Sequence, residues 1–198
     1  MQKKDIVDTI IDNLHLIHDN PDSREYVIDR IAHFLSTLRG DLTILVETEY
    51  VDKAYRDCYY TLYSTKLREY YRNCVRISFF TPEFNENTEM TIDNIEIIRS
   101  AYLGFLVIRP LAECCIGRNV ISPLAKNSKY PSMSICKASI PSTCMGIKMQ
   151  VAGFPHSSLD GEMMSCAETT VWSILEYFGN KYSDYAFGYS GNIEAACL

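Results

Sequence analysis

The stretch "CVRISFF", residues 74–80, alternates its side chains in the way that a β-strand does. Val75, Ile77 and Phe79 fall on one side of the alternation, and Arg76 and Ser78 fall on the other. Successive residues of a strand point to opposite faces of a sheet. The pattern therefore predicts a half-buried strand with an apolar face turned inward and a polar face turned outward.

Other strand-like segments surround this one. Residues 41–150 are therefore predicted to form an α/β region around a central, mostly antiparallel sheet. The candidate strands are "LTILV" (42–46), "YLGFLVIRP" (102–110), "GRNVIS" (117–122) and "GIKMQVAGF" (146–154).

The N-terminal residues, 1–40, have a helical pattern instead. Apolar side chains recur at helical spacing in residues 5–18, and Pro21 disfavours helix at the residue before it. A second helix is expected to begin at Asp22 or Ser23 and to run through Leu38, with Gly40 ending it. The fold class predicted for the chain is thus α+β, with an N-terminal helical hairpin before the sheet.

Composition and charge exclude several classes of function. The chain has 198 residues, and its net charge of −6 includes no dense run of Lys and Arg, so a nucleic-acid surface is not expected. No apolar stretch reaches the 18 or so residues that a transmembrane helix needs, and the N-terminus has no apolar signal region. These features predict a cytoplasmic protein that does not insert into a membrane.

The expected redox state of the cysteines follows from the predicted compartment. All 8 are expected to be mostly reduced thiols, and no C-x-x-C or zinc-finger spacing occurs among them. His15 and His18 share a helix face at i and i+3, but a solvated face is favoured over a metal site because no third ligand accompanies them. No metal and no cofactor are predicted.

Residues 50–71 are rich in tyrosine. Rings spaced in this way can stack on bases or sugars, or they can pack a core and place their hydroxyls at its edge. Because basic partners are absent, core packing is the favoured interpretation.

The segment "SCAETTVWSILEYFG", residues 165–179, has the clearest helix signals in the chain. Ser165 and Glu168 form the S-x-x-E pattern of a capping box, and Gly179 is placed to end the helix. Between them, apolar residues recur at intervals of three and four: Ala167, Val171, Ile174 and Phe178.

This capping box makes Cys166 the first residue of the helix. Unpaired backbone amides and the positive end of the helix dipole stabilise a thiolate there, so the thiol pKa is expected to fall. The same amides can hold the oxyanion that forms when a thiolate attacks a carbonyl. Cys166 is therefore a candidate nucleophile, with ordinary packing of a buried thiol as the alternative.

The longer stretch "FPHSSLDGEMMSCAETTVWSILEYF" (154–178) resembles the nucleophile segment of papain-like cysteine peptidases. It is most similar to the bacteriocin-processing, C39-like branch of that family. The resemblance implies that residues 151–198 begin a papain-like domain, that Cys166 is the catalytic nucleophile, and that the substrate is a peptide or protein. It also implies a His general base after the Cys, an Asp or Asn that orients this His, and a Gln shortly before the Cys.

This sequence departs from that pattern. The Gln position falls near Leu159 or Asp160, and no histidine follows Cys166. The family's sheet normally follows the Cys helix, whereas 19 residues follow Gly179 here. The expectation is a cysteine peptidase-like protein that is incomplete, as if truncated after this helix, or weakly active as this chain.

Two alternatives remain open at this stage. His156, ten residues before Cys166, is the nearest substitute for the base, although "GFPHSS" is typical of a turn and a surface histidine is the commoner outcome. For the whole chain, the alternatives are a non-catalytic binding or regulatory module with a degenerate papain-like segment, and an ordinary soluble α+β domain.

Overall fold

A computed structural model describes residues 3–16, 21–84, 93–129, 135–159 and 166–188. It confirms the α+β class, with helices first, then antiparallel sheets, then a further helix. In chain order the main elements are α1 (Lys3–Asp12), α2 (Pro21–Ser36), β1 (Thr43–Tyr50), α3 (Lys53–Thr61), β2 (Cys74–Phe80), α4 (Ile95–Ala101), β3 (Tyr102–Ile108), β4 (Ile116–Ile121), β5 (Ala138–Cys144), β6 (Ile147–Gly153) and α5 (Cys166–Lys181). Short 3-10 turns lie at Tyr63–Thr65, Pro123–Ala125 and Ser183–Gly188.

The first four strands form one antiparallel sheet in the order β1-β2-β3-β4. Ile77 of β2 lies between Val46 of β1 and Leu106 of β3, so β2 is an interior strand. The stretch "CVRISFF" is therefore at the centre of the sheet, as its β-branched and aromatic composition favours.

A separate hairpin of β5 and β6 lies against this sheet. Sequence patterns predict β6 but not β5, because Pro141 falls inside β5 and proline is uncommon in strands. Among the described strands β5 pairs only with β6, so the missing N–H of Pro141 removes no bond that a second described neighbour would need.

The hairpin corrects one prediction about β2. All of its residues are buried, including Arg76, which is 2% exposed, and Ser78, which is fully buried. The prediction of a half-buried strand was wrong because both faces of the sheet are covered: α1 and α2 pack on one face and the β5–β6 hairpin on the other.

Arg76 is accommodated in that interior by several partners. Its guanidinium lies between the rings of Tyr50 and Phe105, 5.0 and 5.2 Å from their centroids. Nε lies 3.2 Å from Oε2 of Glu47, and Nη1 donates to the carbonyl oxygen of Thr143 at 2.7 Å. A buried charge requires such pairing, and here the pairing fastens β5 to the sheet.

A bulge in β3 exchanges the faces to which its first two residues point. Phe79 pairs with Gly104 and Phe80 with Tyr102, which leaves Leu103 as an extra residue. Leu103 packs with the helices, whereas Tyr102 packs with the hairpin. Gly104 has φ +129, and any Cβ at this position would collide with the carbonyl oxygen of Val120, so only glycine fits the bulge.

The helical hairpin is present with shifted ends. Helix α1 ends at Asp12, short of the predicted 18, where the side chain of Asn13 donates to the Thr9 carbonyl oxygen at 2.8 Å. Helix α2 begins at Pro21, since proline suits the first turn of a helix. It ends at Ser36, before Gly40, because Leu38 forms a β-bridge with Lys126.

The tyrosine-rich stretch contributes to the core as favoured. Tyr55, Tyr63 and Tyr70 are buried, and the rings of Tyr63 and Tyr70 stack at 4.6 Å. Over the described ranges, no helix is both long and apolar enough to cross a lipid bilayer.

Candidate functional site

Helix α5 begins at Cys166, which is the first helical residue as predicted. Ser165, the expected cap, and the side chain of Cys166 lie outside the described part of the chain. The prediction that Gly179 ends the helix was wrong, since α5 continues to Lys181. The Tyr182 amide still donates to the Phe178 carbonyl oxygen at 2.9 Å, so the hydrogen-bond ladder passes through the glycine.

The face that α5 turns toward the protein is polar. Thr169, Ser173 and Glu176 are 7%, 6% and 1% exposed, and they share a face at i, i+4 and i+7. The apolar residues that mark the helix in the sequence are exposed instead: Ala167, Val171, Ile174 and Phe178. Amphipathic surface helices normally bury the apolar side, so α5 is inverted.

An ion pair holds this inverted helix to the sheet. Nε of Arg118, on β4, donates to Oε1 of Glu176 at 3.1 Å, and Nη2 of Arg118 contacts the same oxygen. The guanidinium also lies 5.3 Å from the centroid of the Phe105 ring. The other carboxylate oxygen of Glu176, Oε2, is buried and has no hydrogen-bond partner in the described part of the chain.

A second arginine fixes the segment that approaches α5. Arg109, directly after β3, is 5% exposed. Its Nη2 lies 3.0 and 3.1 Å from the carbonyl oxygens of Ser158 and Leu159 and 3.1 Å from Ser158 Oγ. The carbonyl oxygens of Cys114 and Ile116, on the turn after β3 and at the start of β4, lie within hydrogen-bond distance of the same nitrogen, so its two hydrogens are shared among these acceptors.

The two arginines border one small cavity. The cavity has a volume of about 50 Å³, which is room for a few water molecules. Trp172 of α5, Ser157 and residues of α3 and its N-cap also line it. The lining consists of Asp52, Ala54, Tyr55, Cys58, Arg109, Arg118, Ser157 and Trp172.

His156 pairs with β4 and does not lie in a free turn, which corrects that prediction. Its backbone N–H and C=O both bond to Asn119, at 2.9 and 2.7 Å. Nδ2 of Asn119 donates to the Gly117 carbonyl oxygen at 3.0 Å and lies 3.2 Å from Nδ1 of His156. Nδ1 is therefore the acceptor, and the ring proton is assigned to Nε2.

The surroundings of His156 also favour the uncharged ring. His156 is exposed at the surface, as the sequence favoured. Burial of part of the ring against its neighbours nevertheless lowers the pKa of the imidazole. In this arrangement the accepting nitrogen of the ring faces Asn119 and not a thiol. His156 thus joins its chain segment to β4 through Asn119.

His15, one of the two histidines predicted to share a helix face, does not lie on a helix. His15 lies after the end of α1, with its ring 4.2 Å from the Tyr71 ring and Nε2 3.8 Å from Glu49 Oε1. His18 is outside the described residues. Within the ranges that the structure describes, no group of three or more His, Cys, Asp or Glu side chains is placed to bind a metal.

The other described cysteines form no disulfides among themselves, and they lie in contrasting surroundings. Cys136 is exposed, whereas Cys74, Cys115 and Cys144 are buried. Burial raises the pKa of both Cys115 and Cys144 to about 11 and raises that of Cys74 as well. These buried thiols are poor nucleophiles at neutral pH.

Comparison of this chain with protein-family models, with curated proteins and with solved structures finds no match. The chemistry around α5 is therefore interpreted from its own residues and their contacts. Sequence patterns missed Arg109, Arg118 and Glu176, because their partners lie tens of residues away and no short motif joins them.

Proposed function

We propose that this chain is a cysteine peptidase-like protein in which Cys166 is the nucleophile of a thiol site acting on amide bonds. The observation that carries the proposal is the place of Cys166 at the start of a helix of 16 residues. The free amides of a first helical turn lower the pKa of a thiol and can also receive an oxyanion. The resemblance of residues 154–178 to C39-like peptidases supports a peptide or protein substrate.

The same proposal includes weak activity for the chain alone. Thiol hydrolysis needs a general base, and the ring of His156 is oriented by Asn119 with its accepting nitrogen already engaged. His15 lies against Tyr71 and Glu49, and His33 is exposed on α2. Without a base the rate is expected to fall on the order of hundreds-fold or more.

The exposed apolar face of α5 is consistent with a site that is only partly assembled. In the resembled family, a sheet that carries the base follows the Cys helix. Val171 and Ile174, 52% and 43% exposed, offer a surface against which another layer of structure can pack. This surface equally favours the second candidate function, a non-catalytic binding or regulatory module in a cytoplasmic protein.

Thiol labelling distinguishes the two candidates. Iodoacetamide labelling of the native protein across pH 5–10, read by peptide mass spectrometry, yields a rate for each cysteine. Cys166 is expected to label fastest, ahead of the exposed Cys136, with a midpoint below the usual thiol pKa of about 8.5. A Cys166 that labels more slowly than Cys136 would favour the binding module.

Hydrolysis is measured in parallel. Casein and a double-glycine leader peptide are incubated with the wild type and with Cys166→Ala. Little cleavage is expected from either protein. Strong cleavage that Cys166→Ala abolishes would show that a working base is present, and the claim of weak activity would then be wrong.

A further inference from the structure

We infer that the cavity bordered by Arg109 and Arg118 is a binding site for a small carboxylate, such as acetate, that accepts hydrogen bonds from the Arg109 guanidinium. Such a site is independent of Cys166 and of any hydrolytic activity. Three features of the described residues point to it: hydrogen-bond donors that the protein does not use, a buried charge that the protein does not balance, and a cavity of matching size.

The protein uses only part of the Arg109 guanidinium. Nε donates to the carbonyl oxygen of Cys114 at 3.2 Å, and several acceptors share the hydrogens of Nη2. Nη1 carries two further hydrogens, and it makes no hydrogen bond to any residue that the structure describes. Arg109 is 5% exposed and lines the cavity, so these two donors are available to a ligand that enters there.

The positive charge of Arg109 also lacks a partner. No carboxylate of the described ranges forms an ion pair with it, whereas Arg118 is paired with Glu176. Asp52 lines the same cavity, but its Oδ2 accepts from the Tyr55 amide at 3.0 Å, in the first turn of α3. The amides and dipole of that turn stabilise the Asp52 charge. A buried guanidinium without an anion is costly, and an anionic ligand lowers this cost.

The cavity sets the size and the chemical character of the ligand. Its volume of about 50 Å³ corresponds to roughly three to five water-sized groups, which is the size of acetate. Ala54, Tyr55 and Trp172 give the lining apolar surface against which a methyl group can pack. The planar fork of a guanidinium matches a carboxylate better than it matches a spherical halide. A short carboxylate therefore fits this cavity better than chloride or a bulky anion does.

Trp172 makes binding measurable, because it is the single tryptophan of the chain and it lines the cavity. Its fluorescence is recorded in the full chain while sodium acetate replaces sodium chloride at constant ionic strength and neutral pH. We expect a saturable change with a midpoint in the roughly millimolar range, as suits a ligand with so few atoms. Acetamide, the uncharged counterpart of acetate, is expected to produce no such change.

Two variants locate the ligand. Ala54→Leu adds bulk to the lining from the exposed start of α3, and it should raise the acetate midpoint about tenfold by steric exclusion. Thr61→Leu, at the exposed end of α3 and outside the lining, is the matched control and should leave the midpoint unchanged. Arg109→Lys keeps the charge but loses the planar fork, so it should also raise the midpoint about tenfold. Thermal unfolding without acetate establishes which variants are folded.

An acetate response that Ala54→Leu weakens and Thr61→Leu preserves supports the site. No response when acetate replaces chloride, or an equal response to acetamide, would overturn a site for carboxylates. A midpoint that Ala54→Leu leaves unchanged would mean that acetate binds elsewhere, and a folded Arg109→Lys that binds acetate as tightly as the wild type would remove Arg109 as its anchor. Ala54→Leu is the deciding variant if Arg109→Lys does not fold.

Discussion

Helices α2 and α5 both contain 16 residues, but α2 turns its apolar side toward the protein whereas α5 turns its polar side. Helix α2 buries Val27, Ile31 and Leu35, whereas α5 buries Thr169, Ser173 and Glu176. Helix α2 is held by the hydrophobic effect, which is non-directional and grows with the apolar area removed from water. Helix α5 depends on directional contacts, the ion pair with Arg118 above all. The two helices should therefore respond differently to the same substitutions.

The largest difference is expected for isoleucine truncation. Ile31→Ala should lower the free energy of unfolding by about 3 kcal/mol, because the side chain is fully buried and its loss leaves a cavity. Ile174→Ala on α5 is the matched control and should change stability by less than about 0.5 kcal/mol, since Ile174 is 43% exposed. Urea unfolding of both variants measures this, and equal losses would refute the inversion of α5.

A smaller loss is expected from the polar contact of α5. Glu176→Ala should lower stability by about 2–3 kcal/mol, because Arg118 is left without its carboxylate in a largely buried position. Glu25→Ala on the exposed side of α2 should have almost no effect. The double variant Arg118→Met with Glu176→Leu should recover most of the loss. A single variant as stable as the wild type would show that the ion pair does not hold α5.

The start of α5 should contribute less again. Ser165→Ala is expected to lower stability by about 1 kcal/mol and to slow Cys166 alkylation at neutral pH, because the S-x-x-E pattern predicts that the Ser165 hydroxyl caps the first turn. Ser36→Ala, at the exposed end of α2, serves as the control. Lower stability with an unchanged labelling midpoint would leave the capping box in place and remove its link to a nucleophile.

The smallest effect is expected for His156. Its folded-state pKa is lowered, so the unfolded state binds protons more readily, and stability should decrease as pH falls below the unfolded value of about 6.5. His156→Gln should reduce this decrease between pH 6.5 and pH 5 relative to the wild type. Melting temperatures of the wild type and of His156→Gln are measured across that pH range. The same pH dependence in both proteins would contradict the lowered pKa of His156.

Much of the fold could be predicted from local patterns. The alternation in residues 74–80 predicts β2, and the helical spacing in residues 22–38 predicts α2. In both segments the apolar side chains recur at one constant spacing, which is visible without knowledge of distant partners. The rest depended on partners far along the chain: Arg76 is buried because a hairpin some 65 residues later covers it. Periodicity also shows that α5 has an apolar side, but it does not show which side meets the protein.

The site was predictable to a similar degree. The place of Cys166 at a helix start follows from local signals and is confirmed in the backbone of α5. The contacts around it were not predictable, because Arg118 and Glu176 are separated by 58 residues and neither belongs to a recognisable motif. His156 was misplaced for the same reason, since its extended backbone is imposed by Asn119 on a neighbouring strand.

The bulge at Gly104 has a consequence for how this sequence can evolve. Because the bulge moves Tyr102 into one core and Leu103 into the other, replacing Gly104 exchanges the environments of two buried side chains at once. No single substitution elsewhere restores both. We therefore expect that homologues without a glycine here also differ at positions 102 and 103, and that these three positions vary together as one unit of sequence change.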